Sequence, residues 1–140
     1  MSTDLLAMDK HFGGAVSTRL GAGILLAPVR YGSFCGFLFW LLGQWAVTWK
    51  GVIHVTVSAP AAGSEASYAL LAHECYHVWQ QQRMGWWKFL AHYAAELVRG
   101  WLHRRNIRFH PLEKPAYEFV ESLQGEAGMN SKEATESTGG

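Results

Sequence analysis

Residues 70–82 read LLAHECYHVWQQQ. His73 and His77 stand four apart, and Glu74 follows the first directly. On a helix, residues four apart differ in direction by only about 40°, so both imidazoles reach one metal ion from the same face. Glu74 lies about 100° round from His73, at the flank of that face, where a carboxylate holds a water without ligating the metal. Cys75 falls about 200° round, on the far side, and reads as a small buried side chain. The competing reading is a helix whose histidines merely line a polar face. For this composition a chance match to H-E-x-x-H is about a two-in-a-hundred event.

Working outward, the pattern predicts a helix from Glu65 through Arg83. Ser64 stands at its N-cap and the Met84-Gly85 pair at its end. Upstream, Gly32 to Trp49 is an 18-residue run without a charge, flanked by Arg30 and Lys50. That is the lower limit for a transmembrane helix. The alternative, which we favour, is a β-hairpin with one arm ending near Leu42, a turn at Gly43-Gln44 and a second arm from Trp45. Within WKGVIHVTVS, residues 49–58, Val52, His54 and Thr56 face one way and Ile53, Val55 and Val57 the other, as in a strand. Downstream, residues 86–105 form an amphipathic helix. Trp86, Leu90, Tyr93, Leu97 and Trp101 line one face, and Lys88, His92, Glu96, Arg99 and His103 the other. A last helix covers 112–124.

The 140 residues suffice for one domain. Residues 1–12 read as a flexible leader, 13–124 as the domain and 125–140 as a disordered tail with almost no large apolar residue. The glycine-rich block 13–28 has no assigned structure. A formal charge of +1 argues against a nucleic-acid binder. Positive charge is concentrated between Arg83 and Lys114, where seven Lys/Arg face two glutamates. Two cysteines with no repeated spacing argue against a disulfide framework. The N-terminus lacks the basic flank and apolar run of a signal peptide, which favours a cytoplasmic or membrane-associated location.

A hydrolytic zinc site needs a third protein ligand and one position left for water. The downstream candidates are His92, Glu96, His103, His110, Glu113, Glu118 and Glu121. His92 and Glu96 lie on the polar stripe of their helix, where a solvated face explains them. HPLEKPAYEF, residues 110–119, opens a new helix after a turn, and Pro111 and Pro115 both suit a first helical turn. That helix brings the chain back beside His73, with Glu113 facing the histidines, Tyr117 one turn later on the same side and Glu118 as the fallback.

AVTWKGVIHVTVSAPAAGSEASYALLAHECYHVWQQQ, residues 46–82, resembles the extracellular contractile injection system core domain, a family regarded as metallopeptidases. The resemblance rests on Ala46, Thr48, Ile53, Leu70, Leu71, Ala72, His73, Glu74, His77, Val78, Gln80 and Gln81. Related small HExxH proteins carry a later Pro-x-Glu-x-x-Ala, met here by Pro111, Glu113 and Ala116, whose glutamate is their third zinc ligand. Cys75, Tyr76 and Pro115 depart from the usual pattern. The resemblance implies strands beside the active-site helix, at whose edge an extended peptide adds.

The expectation is therefore an α+β, zincin-like domain: a short hairpin or sheet on the active-site helix, with two further helices. One Zn2+ per chain is held by His73, His77 and Glu113. Such an ion lowers the pKa of its water and polarises a peptide carbonyl, with Glu74 as general base. Tyr117 is the candidate oxyanion donor, with His110 behind it, although core packing also accounts for Tyr117. The partner is a peptide or protein substrate. The rival reading is a non-catalytic, zinc-stabilised scaffold that docks to a partner protein or an assembly, its site closed by a fourth ligand such as His54 or His110. Segments 32–49 and 99–110 are the candidates for membrane contact.

Overall fold

Ser64 opens the helix that organises the molecule, seen in a computed structural model that describes residues 2–103 and 110–138. The chain runs α1 (Thr3–His11), α2 (Ala15–Leu20), a 3-10 turn (Ala22–Leu26), β1 (Val29–Tyr31), α3 (Phe34–Leu41), β2 (Ala46–Trp49), β3 (Val52–Val55), α4 (Glu65–Met84), α5 (Trp86–Leu102) and α6 (Glu113–Thr138). The class is α+β. Ser64 Oγ accepts the Ser67 N–H at 3.2 Å at the start of α4, and Gly85, at φ 83°, ends it. Both ends fall where capping chemistry predicts.

The sheet has three strands in the order β1-β3-β2, with β1 parallel and β2 antiparallel to β3. Lys50 and Gly51 join β2 to β3 with φ of 48° and 73°, the doubly left-handed loop that matches strand twist. Ala46 pairs with Val55 and Thr48 with Ile53. Their side of the sheet lies on α4, where Ile53 and Val55 join Leu71, Ala72, Cys75 and Val78 in one core with Phe119, Val120 and Leu123 of α6. Val47 and His54 occupy the opposite side, which α3 covers. Gly36 permits that approach. A Cβ there would meet Ser33 Oγ at 3.2 Å and the Val55 carbonyl at 3.5 Å.

Several expectations are corrected. Within the expected leader 1–12, the described residues 2–12 are not loose: α1 puts Leu5 and Met8 fully into the core. The apolar spacing Leu5, Met8, Phe12 is helical, and burying it offsets the cost of ordering this end. Block 13–28 supplies α2, the 3-10 turn and the approach to β1, tied back by Asp9, which accepts the Ser17 N–H at 2.9 Å and its hydroxyl at 2.7 Å. The first hairpin arm is instead α3, with Ser33 Oγ accepting the Gly36 N–H, and the hairpin lies one element later. The last helix continues past Gln124 to Thr138, so 125–138 is helical and not a disordered tail. Most of that extension is exposed. More helices surround α4 than the two expected. No helix among the described residues is long and apolar enough to cross a membrane. Residues 104–109, part of the segment 99–110, lie outside the described residues.

Candidate metal centre

α4 projects His73 and His77 from one side, and α6 brings Glu113 against them. His73 Nε2 and His77 Nε2 are 3.1 Å apart, His73 Nε2 lies 3.0 Å from Glu113 Oε2, and His77 Nε2 lies 3.2 Å from Glu113 Oε1. In a tetrahedral zinc site with Zn–N bonds of about 2.0–2.1 Å, neighbouring donors stand about 3.3 Å apart. The three side chains thus fit zinc in chemistry and spacing. Among the described residues no further His, Cys, Asp or Glu joins this group.

A surrounding layer fixes these groups. The Gln80 amide donates through Nε2 to the Leu112 carbonyl at 3.0 Å, which turns its oxygen toward His77 Nδ1 at 2.8 Å. That network assigns one His77 proton to Nδ1 and leaves Nε2 as the atom that faces His73 and Glu113 and would bind a metal. Tyr93 of α5 donates to Glu113 Oε1 at 2.8 Å. Burial opposes a charge on His77, but the hydrogen bond and charge of Glu113 outweigh it and raise the imidazole pKa to about 9. Burial likewise works against the Glu113 carboxylate, yet bonding to His73 and His77 holds its pKa well below the usual range. Burial, then the Glu113 charge, push the Tyr93 phenol far up.

Glu74 sits on the flank of α4 with only 4% of its surface exposed. Thr48, on the α4 side of β2, donates to Glu74 Oε2 at 2.6 Å. Gln81 in turn accepts the Gly51 N–H at 2.8 Å and donates to the Thr48 carbonyl at 3.0 Å. The tip of the hairpin is therefore pinned to α4, and the base is pinned to the hairpin.

The remaining candidates disperse. His110 donates from Nε2 to the Tyr93 carbonyl at 2.9 Å and accepts the Leu112 N–H on Nδ1 at 3.1 Å, so both nitrogens serve the turn before α6. His54 lies on the α3 side of the sheet with Nδ1 2.7 Å from Ser33 Oγ, away from the three ligands. Neither closes the site. Glu118 and Glu121 are exposed, Glu118 beside Lys114, and so are His92 and His103. Glu96 pairs with Arg99 at 2.8 Å. The Tyr117 ring rests 4.6 Å, between centroids, from that of His73. Cys75 is fully buried, with its thiol pushed up to about 12 by burial and then by the nearby Glu74 and Asp9.

Residues 8–85 match the family model of the eCIS core domain. The chain belongs to that family. No curated protein and no solved structure matches it. The eCIS core domain extends here from within α1 to the end of α4, so it includes the glycine-rich block 13–28 to which the sequence alone assigned no structure. It includes His73, Glu74 and His77 and ends before Glu113, whose place beside the histidines rests on the fold. Sequence reading missed the parts of Thr48, Gln80, Gln81 and Tyr93. The first three stood in the resembling motif without a role, and the spacing of Tyr93 on an apolar stripe concealed its hydroxyl.

Proposed function

We propose that this chain is a zinc-dependent metallopeptidase in which His73, His77 and Glu113 hold one zinc ion and Glu74 is the general base. The observation that carries the reading is the convergence of three ligand atoms within 4.8 Å of one another on buried side chains. When bound there, zinc polarises a peptide carbonyl and brings the pKa of a water toward neutrality. Glu74 takes the water's proton and delivers it to the leaving amine. Thr48 orients that carboxylate through its hydrogen bond. Tyr117, beside His73, is the donor to the developing oxyanion. The substrate is a peptide or protein segment, and β2, at one edge of the sheet beside Glu74, is where an extended chain adds.

A second reading draws on the depth of Glu74. Its burial and short bond to Thr48 also suit a zinc-stabilised binding module that docks to a partner or an assembly without catalysis. Two measurements separate these readings. Mass spectrometry on protein purified without added metal is expected to find about one equivalent of zinc, lost in His77→Ala. Glu74→Gln is expected to retain zinc and lose peptide cleavage. Cleavage that survives in purified Glu74→Gln would overturn the catalytic role. A folded wild type that takes up no zinc would overturn both readings.

A further inference from the structure

The apolar run that the metal centre leaves unused forms a surface. At about 100° per residue, Phe34, Phe37, Leu38, Leu41 and Leu42 fall within an arc of roughly 140° that faces away from Gly36. Gly36 is the buried contact of α3 with the sheet, and those five side chains are between 45% and 76% exposed. Trp49 alternates with the inward Ala46 and Thr48, and its ring lies between Phe39 of α3, at 6.3 Å, and Trp86 of α5, at 4.7 Å between centroids, while Trp45, just before β2, is exposed. Trp40 adds a third indole at the margin, 39% exposed.

The segment of chain that builds this face carries charge of one sign, and the nearby Asp4 is taken up by the Tyr31 hydroxyl. No Asp or Glu occurs anywhere between Lys10 and Ser64. Arg30 and Lys50, both exposed, flank the run, and the Lys50 ammonium lies 5.9 Å from the centre of the Trp87 ring. Arg30 pairs in register with His54, which places it on the α3 side of the sheet. The other cation in this span, Arg19, is occupied by Glu126.

We propose that this α3 face docks onto an anionic lipid bilayer, lying in its interface without crossing it. From Phe34 to Leu42 the polar side-chain groups are the Cys35 thiol and the Trp40 indole N–H. A protein partner is held by about one hydrogen bond per 100–200 Å² of interface, and this surface offers almost nothing to make them. A bilayer asks for none. It takes hydrocarbon side chains below, indoles at the headgroup level and cations against anionic headgroups. An eight-residue helix spans only about 12 Å, too short to cross but long enough to lie in the plane. The sheet separates α3 from Glu74 and α4, so docking can be tested without disturbing the metal ligands.

Flotation with two kinds of vesicle tests this: phosphatidylcholine alone, and phosphatidylcholine with phosphatidylglycerol as the minor component. The wild-type protein is expected to float with the mixed vesicles, with its tryptophan emission shifted to the blue. Leu38→Glu combined with Leu41→Glu is expected to lower that binding at least ~10-fold with unchanged zinc uptake and circular dichroism. Phe34→Gln, at the most exposed position of the helix, is expected to weaken it as well and reads the same face should the double variant fail to fold. Arg30→Glu with Lys50→Glu is expected to weaken binding to the mixed vesicles more than to neutral ones, and less so at high salt. Wild-type protein that stays free of both vesicles overturns the proposal. So does binding that the α3 substitutions leave intact. A dimer that Leu38→Glu with Leu41→Glu dissociates, in the absence of vesicle binding, would assign the face to a second copy and likewise overturn it.

Discussion

Gln80 does more for His77 than its position beyond the histidine pair suggests. Its amide is oriented by Leu112 and in turn fixes which imidazole nitrogen keeps a proton. Replacing it with leucine removes that orientation and leaves a buried N–H unpaired, which is expected to cost about 10–100-fold in zinc affinity, read by competition with a chelator. The same imidazole sets a pH dependence. Burial resists its charge but Glu113 prevails, so the pKa stands near 9 against an ordinary 6.5. Metal-free protein at neutral pH thus carries a proton on His77, and an incoming ion expels it. Calorimetry in buffers of different ionisation enthalpy is expected to count about one proton released from His77, with affinity rising roughly tenfold per pH unit until about 9. For the metal-free fold the sign is opposite. The folded-state pKa lies above the unfolded one, so the stability due to His77 is complete below 6.5 and lost as pH rises through about 9.

At the level of elements, the hairpin carries one residue against its preference. Lys50 holds φ at 48°, a conformation that asparagine and glycine adopt at lower cost. Lys50→Asn is expected to raise stability by about 0.5–1 kcal/mol in urea unfolding, with the register unchanged. The strand after it was legible, because Val52 to Val57 alternates and α4 carries caps at both ends. α3 was not. An uncharged run of aromatic and aliphatic residues has no period with which to choose helix or strand, and only Ser33, placed to cap, pointed to the helix. Gly43-Gln44 looked like the turn because Lys50 is an unusual occupant of the real one.

Across the whole molecule, the amino-terminal helix is part of the core it was expected to lie outside. Leu5 is fully buried beside Met8, Val16 and Ile24. Leu5→Ala is expected to cost about 2–5 kcal/mol, seen as a lowered midpoint in thermal or urea unfolding. The sequence held that signal in the spacing of Leu5, Met8 and Phe12, masked by the charged residues between them. The metal centre was readable to the extent that it is local. His73, Glu74 and His77 share one helix, whose period alone places them. Thr48 and Tyr93 enter the site through tertiary packing, which no spacing within their own segments encodes.

Glu113 reaches the two histidines from a helix that begins well after the family-matched segment ends. An ion seated among the three would therefore clasp two parts of the chain that have no turn in common. Its departure would leave α6 held by Phe119, Val120, Leu123, the Arg19–Glu126 pair and the bonds of Glu113 to His73, His77 and Tyr93, without the bonds of the metal itself. Occupancy would then set how often the C-terminal helix lifts from the body, while the amino-terminal helices, already sealed in the core, would keep the same rate of opening.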